Sequence, residues 1–242
     1  MGTLVFDIET VGERWQSIDE HTKNVLTRWA KKSAKNELEE KALVGDVKNG
    51  LGFSPYTGEI VALGLYDVER SQGVVYFQSN EKDVEFEEGN YVFRSRTEKE
   101  MLEDFWDGVQ SYDTFVTYNG RGFDVPFINI RSAVHNIRPT HDLMHYRYLN
   151  RQEEIFHVDL QDQLTYYNAV HRKPSLHVVC RAFGIESPKV EGEEGDDVAQ
   201  LYEAGRFKKI AKYNARDVVA TTELYEKWLQ YLAPYSFINR IT

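Results

Sequence analysis

Asp7 and Glu9 stand two residues apart, directly after the apolar run Thr3–Phe6. On a strand that spacing puts both carboxylates on one side. Two anions facing the same way repel, so the pair calls for a cation. The spacing alone decides nothing, because Asp67-Val68-Glu69 and Asp83-Val84-Glu85 repeat it. Asp83 lies in a polar stretch. Asp67 follows an apolar run, but a strand antiparallel to the first would end at the opposite edge of the sheet, in a turn where acids are ordinary.

A third carboxylate, Asp124, follows Phe115–Asn119 and a Gly-Arg-Gly turn. Taken alone it reads as a helix N-cap, with Pro126 in the first turn. In an α/β sheet, however, ligands bind outside the C-terminal ends of strands, so this loop can converge on Asp7. A fourth, Asp217, falls near the middle of the apolar arc of a long helix, in the row Ile210, Tyr213, Asp217, Ala220, Leu224. A carboxylate on a buried face is costly unless it pairs with an arginine or binds a metal. Tyr213 lies one turn earlier, and of the 15 tyrosines it alone has Asp at i+4.

These groups need elements to hold them. Ile60–Tyr66 and Val74–Gln78, joined around Ser71–Gly73, read as a β-hairpin, with Tyr91–Arg94 a further short strand. Thr97–Gln110 reads as an amphipathic helix opened by a capping box, Thr97 with Glu100. Thr114–Asn119 is a strand, Phe123–Asn136 a helix and Phe156–Leu160 extended. Helical patterns follow at Gln161–Val170, Ser175–Phe183, Asp197–Ala204 and Phe207–Leu232. Residues 12–54 carry Trp15, Ile18, Val25, Leu26 and Trp29 at roughly helical spacing and read as a helical insertion. Glu191–Asp197, with five acids in seven residues, reads as a solvated loop. Strands first, then helices, predict an α/β fold with a mixed sheet in one domain, 1–242.

The 242 residues carry 29 basic and 39 acidic side chains, a net charge of −10. That excludes gripping nucleic acid through a broad basic surface, and sitting on an anionic membrane. It does not exclude a nucleic-acid substrate at a metal-loaded site, where the ions reverse the local field. The single cysteine, Cys180, excludes an internal disulfide framework and a cysteine-ligated zinc site. Without a signal-like N-terminus or a run of ~20 apolar residues, the expectation is a soluble, cytoplasmic protein.

Three segments come in order: Phe6-Asp7-Ile8-Glu9-Thr10, then Tyr118-Asn119-Gly120-Arg121-Gly122-Phe123-Asp124, then Tyr213-Asn214-Ala215-Arg216-Asp217. With them the chain resembles the DEDDy subclass of DnaQ-like 3′–5′ exonucleases, above all the proofreading domain of family B DNA polymerases and its stand-alone relatives. Val158-Asp159-Leu160 and Ser175-Leu176 are similar to that group as well. The resemblance implies an RNase H-like fold, helices on both faces, and hydrolysis at the 3′ end of DNA by two divalent cations, Mg²⁺ or Mn²⁺. By the same resemblance Asp7, Glu9 and Asp217 hold one ion, Asp7 bridges to the second, and Asp124 supports that one. Tyr213 orients the attacking water. Thr10 meets the 3′-terminal nucleotide, and Asn119 and Phe123 contact substrate.

The alternatives are trimming of RNA rather than DNA, a catalytically silent module that binds nucleic acid or protein, and a scaffold whose acids pair with arginines. His157 and Asp162 have the count of a sister subclass but straddle a strand–helix junction. His141 and His145 lack the glutamate of a zinc protease. Arg138, His141, His145, Arg147 and Arg151, interleaved with Tyr146 and Tyr148, fit either a backbone-tracking patch or a solvated loop. The same holds for His171-Arg172-Lys173.

Overall fold

The structure, a computed structural model, describes residues 2–188 and 198–241. The acidic run Glu191–Asp197 lies outside the described residues. The elements in chain order are β1 (Thr3–Gly12), α1 (Glu20–Ser33), α2 (Glu37–Asn49), β2 (Gly58–Asp67), β3 (Gln72–Phe77), β4 (Glu85–Glu88), β5 (Tyr91–Ser95) and α3 (Glu98–Gly108). They continue with β6 (Thr114–Thr117), α4 (Asp124–Val134), β7 (Phe156–Asp159), α5 (Leu160–Leu164), α6 (Leu176–Phe183), α7 (Val198–Glu203), α8 (Phe207–Tyr231) and α9 (Tyr235–Ile241).

The strands form one mixed sheet in the order β4-β5-β3-β2-β1-β6-β7. β1 runs antiparallel to β2 and parallel to β6, which is itself parallel to β7. Alternation along β1 splits the apolar core into two layers. Leu4, Phe6 and Ile8 face Met101, Leu102 and Phe105 of α3 and Val125 and Phe127 of α4. Val5 and Val11 belong to the opposite layer, with Ile210, Val218, Leu224 and Trp228 of α8. Asp7 and Glu9 fall in the same alternate set as Val5, so they interrupt the stripe beneath α8.

The capping box at Thr97 is present, with both reciprocal hydrogen bonds. Several other expectations need correction. The helix expected over 161–170 ends at Leu164, because Tyr166, Tyr167 and Asn168 take left-handed backbone angles, with φ of 48°, 56° and 74°. The Tyr167 amide then donates back to the Asp162 carbonyl instead of continuing the helix. The strand expected to reach Asn119 stops at Thr117, since Asn119 is itself left-handed, φ 64°. β4 and α9 were not expected from the sequence pattern.

Between β1 and β2 the chain makes α1 and α2 and returns through a 3₁₀ turn at Leu51–Phe53. Asp19 and Asn36 cap the two helices through their side chains. The Trp15 ring has the ammonium groups of Lys23 and Lys48 at 6.0 and 5.2 Å from its centre, linking both helices to the loop. Where this segment leaves and returns, the backbones nearly touch. A Cβ on Gly12 would lie 2.6 Å from Leu51 Cβ, and one on Gly52 3.0 Å from the Gly12 nitrogen.

Candidate active site

The long antiparallel pair β1–β2 outruns β6, which pairs only with Thr3–Val5. Beyond that point Ile8 has no strand neighbour on the β6 side, and its N–H donates to Asp124 Oδ1 at 3.1 Å. Asp124 therefore does not cap its own helix; Phe123 occupies the cap position. The carboxylate instead bridges the start of α4 to the strand that carries Asp7 and Glu9.

Across the strand pair, Asp7 faces Gly64 and Glu9 faces Ala62, two small residues that leave room above the sheet. α8 crosses there. One oxygen each of Asp7, Glu9 and Asp217 lies within 4.8 Å of the others, among the described residues the one such group of three or more potential ligands. Asp124 stands outside that trio but close enough to act on it electrostatically. The sequence pattern had not singled out Asn214, which is fully buried and donates from Nδ2 to Asp7 Oδ2 at 2.9 Å. It lies directly over Gly64, where an added Cβ would come within 2.2 Å of Asn214 Oδ1. Only the strand register reveals that dependence.

The electrostatics follow from this crowding. Burial, then Asp124, Asp217 and Glu9, hold the Asp7 carboxyl well above the usual carboxylate range, and Asn214 opposes them only in part. Glu9 is raised by burial, Asp217 and Asp124. Asp124 is pushed up to about 7, chiefly by burial. Among the described residues no cationic side chain is a cause of either shift. The Tyr213 phenol is raised by burial and then by Asp217, Glu9 and Asp7, so its hydroxyl stays protonated at neutral pH. Oxygen-only donors with surplus negative charge suit a hard divalent cation.

A cleft of about 810 Å³ opens beside the cluster and is lined by Glu9 and Tyr213; Asp7, Asp124 and Asp217 are not among its lining residues. Its lining includes Glu9, Thr10, Phe123 and Tyr213 together with Trp15, Lys48, Leu51 and Phe53 of the β1–β2 segment and Tyr202 of α7. The Thr10 hydroxyl donates to the Gly52 carbonyl at 2.7 Å. Asn119 does not line the cleft; its N–H donates to Asp159 Oδ1 at 2.9 Å. Asp159, from the segment Val158-Asp159-Leu160, also accepts from the Arg121 N–H and from the Gln161 amide. It thus ties the turn before Asp124 to the start of α5.

The remaining candidates serve the fold. His157 is buried, stacks on Phe6, and bonds the Thr117 hydroxyl and the Leu143 carbonyl, each at 2.9 Å; burial pushes its imidazole down to about 3. Asp162 accepts both donors of the Arg147 fork. His141 and His145 belong to no group of three potential ligands among the described residues. Cys180 is buried. No helix among the described residues is long and apolar enough to cross a membrane.

Comparison with known proteins agrees with this architecture. Curated relatives include the catalytic subunit of DNA polymerase epsilon from Emericella nidulans, 24% identical over 97% of this chain, and that from Schizosaccharomyces pombe, 23% identical over 97%. A DNA polymerase of Desulfurococcus sp. (strain Tok) is 29% identical over 55% of the chain. The chain spans only 9 to 18% of the length of these relatives. Among solved structures, the family B DNA polymerase of Pyrobaculum calidifontis superposes with a TM-score of 0.57 at 19% identity, covering 99% of this chain and 26% of that one. The fold is thus α/β and RNase H-like. Residues 72–234, which include Asp124, Tyr213 and Asp217, match the profile of a family described as predicted 3′–5′ exonucleases related to the exonuclease domain of PolB. The chain belongs to that family.

Proposed function

We propose that the protein is a metal-dependent 3′–5′ exonuclease that removes nucleotides from the free 3′ end of single-stranded or frayed DNA. The observation that carries this reading is the meeting of Asp7 and Glu9 with Asp217, more than 200 residues away in the chain, beside an open cleft that Glu9 lines. Asp7, Glu9 and Asp217 would hold one divalent cation, and Asp7 with Asp124 a second, Mg²⁺ or Mn²⁺. Such a pair neutralises the scissile phosphate, activates a water and stabilises the leaving oxygen.

The chain's own groups divide the remaining work. Asn214 occupies Oδ2 of Asp7 and so fixes which oxygen faces the cleft. Ile8 does the same for Asp124. Tyr213 keeps its proton on Oη and is suited to orient the attacking water as a hydrogen-bond partner rather than to remove its proton. Thr10 has its hydroxyl proton committed to Gly52, leaving its oxygen lone pairs to meet the terminal nucleotide. Phe123 supports that nucleotide from the cleft wall; Asn119 contributes through the turn it shapes.

Digestion of 5′-labelled single- and double-stranded DNA and RNA with Mg²⁺, Mn²⁺ and EDTA tests the reading. The expected result is a ladder shortening from the 3′ end, fastest on single-stranded DNA and abolished by EDTA. Shortening from the 5′ end, cutting of closed circles, or an undiminished rate after chelation would overturn it.

A further inference from the structure

Net charge −10 leaves this protein without a broad basic surface for holding a polyanion. The cleft is also acidic: Glu9, Glu13, Glu59 and Glu203 line it, against Arg14 and Lys48. Grip on a strand must therefore come from a few placed contacts, and base stacking on aromatic faces is the contact least dependent on charge.

Among the residues that line the cleft, one large apolar side chain is exposed: Phe53, at 74%. An exposed phenylalanine by itself means little. Phe53, however, rides on a turn tied down at several points. Its N–H donates to the Gly50 carbonyl, the Thr57 hydroxyl donates to Leu51, and Thr10, next to Glu9, donates to Gly52. The Gly12–Gly52 crossing leaves the turn no room to slide against β1. A solvent-facing ring is thus held in the cleft that Glu9 lines. Lys48 lines the same cleft, drawn toward the Trp15 ring, with no carboxylate within 4.0 Å among the described residues.

We infer that the segment between β1 and β2 is the substrate clamp of this protein: Phe53 stacks on a base of a single-stranded 3′ end near the scissile bond, and Lys48 meets a phosphate of the same strand. The inference rests on the exonuclease reading and assigns to this segment the preference for unpaired ends, because inside a duplex each base face is covered by its stacked neighbours, whereas an unpaired strand can splay a base onto the ring.

The test is a double-mutant cycle between Phe53 and the strand. Binding of a 5′-fluorescein single-stranded DNA is followed by anisotropy with Mg²⁺, on an Asp124→Asn background that holds the strand without consuming it. Phe53→Ala should weaken binding about fivefold to tenfold, the low end of what one stacked base contributes, while Phe53→Tyr should hold it within twofold. An abasic residue walked inward from the 3′ end should erase the Phe53→Ala effect at one position and leave it intact at the others. Lys48→Ala should weaken binding of all these strands alike and flatten the salt dependence. A Phe53→Ala penalty that is absent, or equal on every abasic strand, overturns the clamp. The parent chain is assayed alongside on the labelled intact strand. If it digests that strand while the cycle shows no coupling, the clamp falls and the exonuclease reading stands. If it leaves the strand intact while coupling is seen, the ring stacks on a base and the exonuclease reading falls.

Discussion

The same three-residue spacing, acid–apolar–acid, occurs twice along the β1–β2 ladder, once at the end of β2 and once inside β1, with opposite surroundings. At the end of β2, Asp67 accepts from the Tyr112 hydroxyl at 2.6 Å and the Arg70 amide at 2.7 Å, with the Arg70 guanidinium at 3.4 Å. Glu69 accepts from the Thr3 amide at 2.8 Å. Every charge there is answered by a neighbour. Near the middle of β1, Asp7 and Glu9 face Asp217 and Asp124, with one amide, Asn214, in support. What separates the two is not the spacing but what the rest of the chain brings to it. Antiparallel pairing sets Asp67 against Leu4 and Asp7 against Gly64, and it is over Asp7 that Asp217 of α8 and Asp124 of the β6–α4 turn converge.

This contrast can be broken most severely by removing a charge from the crowded cluster. Asp217→Asn should lower kcat on the order of 10³-fold or more and weaken metal binding in parallel, since it deletes one ligand of three. A metal titration that overlays the parent's would show that Asp217 is no ligand. Tyr213→Phe keeps the ring and loses only the hydroxyl. It should cost roughly 10²-fold in kcat, the low end for a positioned proton-bearing group, with KM little changed. Near-parental activity would make Tyr213 a packing residue.

Gly64→Ala tests the room above the sheet. The new methyl would drive Asn214 away from Asp7, at about 1–3 kcal/mol of stability and about tenfold in activity, as for a residue supporting a metal ligand. Denaturant unfolding and kinetics on the same preparation separate the two effects.

A smaller effect sharpens the contrast through pH. Without divalent ions, Asp124 titrates near 7 in the folded chain against ~3.9 unfolded, and Asp7 and Glu9 shift in the same direction. Between those values the unfolded chain has released protons that the folded one retains, so stability falls as pH rises from about 4 to about 7. Added Mg²⁺ or Mn²⁺ should reverse this, raising Tm more at pH 8 than at pH 5. Equal shifts at both pH values would argue against a carboxylate-held cation. The smallest effect belongs to the answered end: Asp67→Asn should leave kcat within twofold and cost about 1 kcal/mol through the weakened Tyr112 bond. A large loss of activity there would dissolve the distinction.

Much of this arrangement was legible in the sequence. Alternation put Asp7 and Glu9 on one face, helical phase put Tyr213 and Asp217 on another, and three segments in order joined them. The less visible parts depend on neighbours distant in the chain. β4 reads Glu-Phe-Glu-Glu and exists because Phe86 stacks on Phe93 at 4.6 Å. Asp124 looks like a helix cap until β6 is seen to end early and free the Ile8 amide. Asn214 is an ordinary helix residue until Gly64 is found beneath it. Such dependences join residues that pattern, read one segment at a time, treats separately.

The crossing of Gly12 and Gly52 has a consequence for engineering. Because the helical segment leaves and rejoins the sheet at nearly one point, its length is largely decoupled from the geometry of the carboxylates. Closing a longer loop across that neck costs only about 0.6 kcal/mol per doubling of its length. The exposed junction between Ser33 and Asn36 is therefore a natural place to splice in a foreign module, such as a sequence-reading domain or a tether. Cargo placed there would be carried at the far end of α1 and α2 from the residues that line the cleft, while the strands below keep their register.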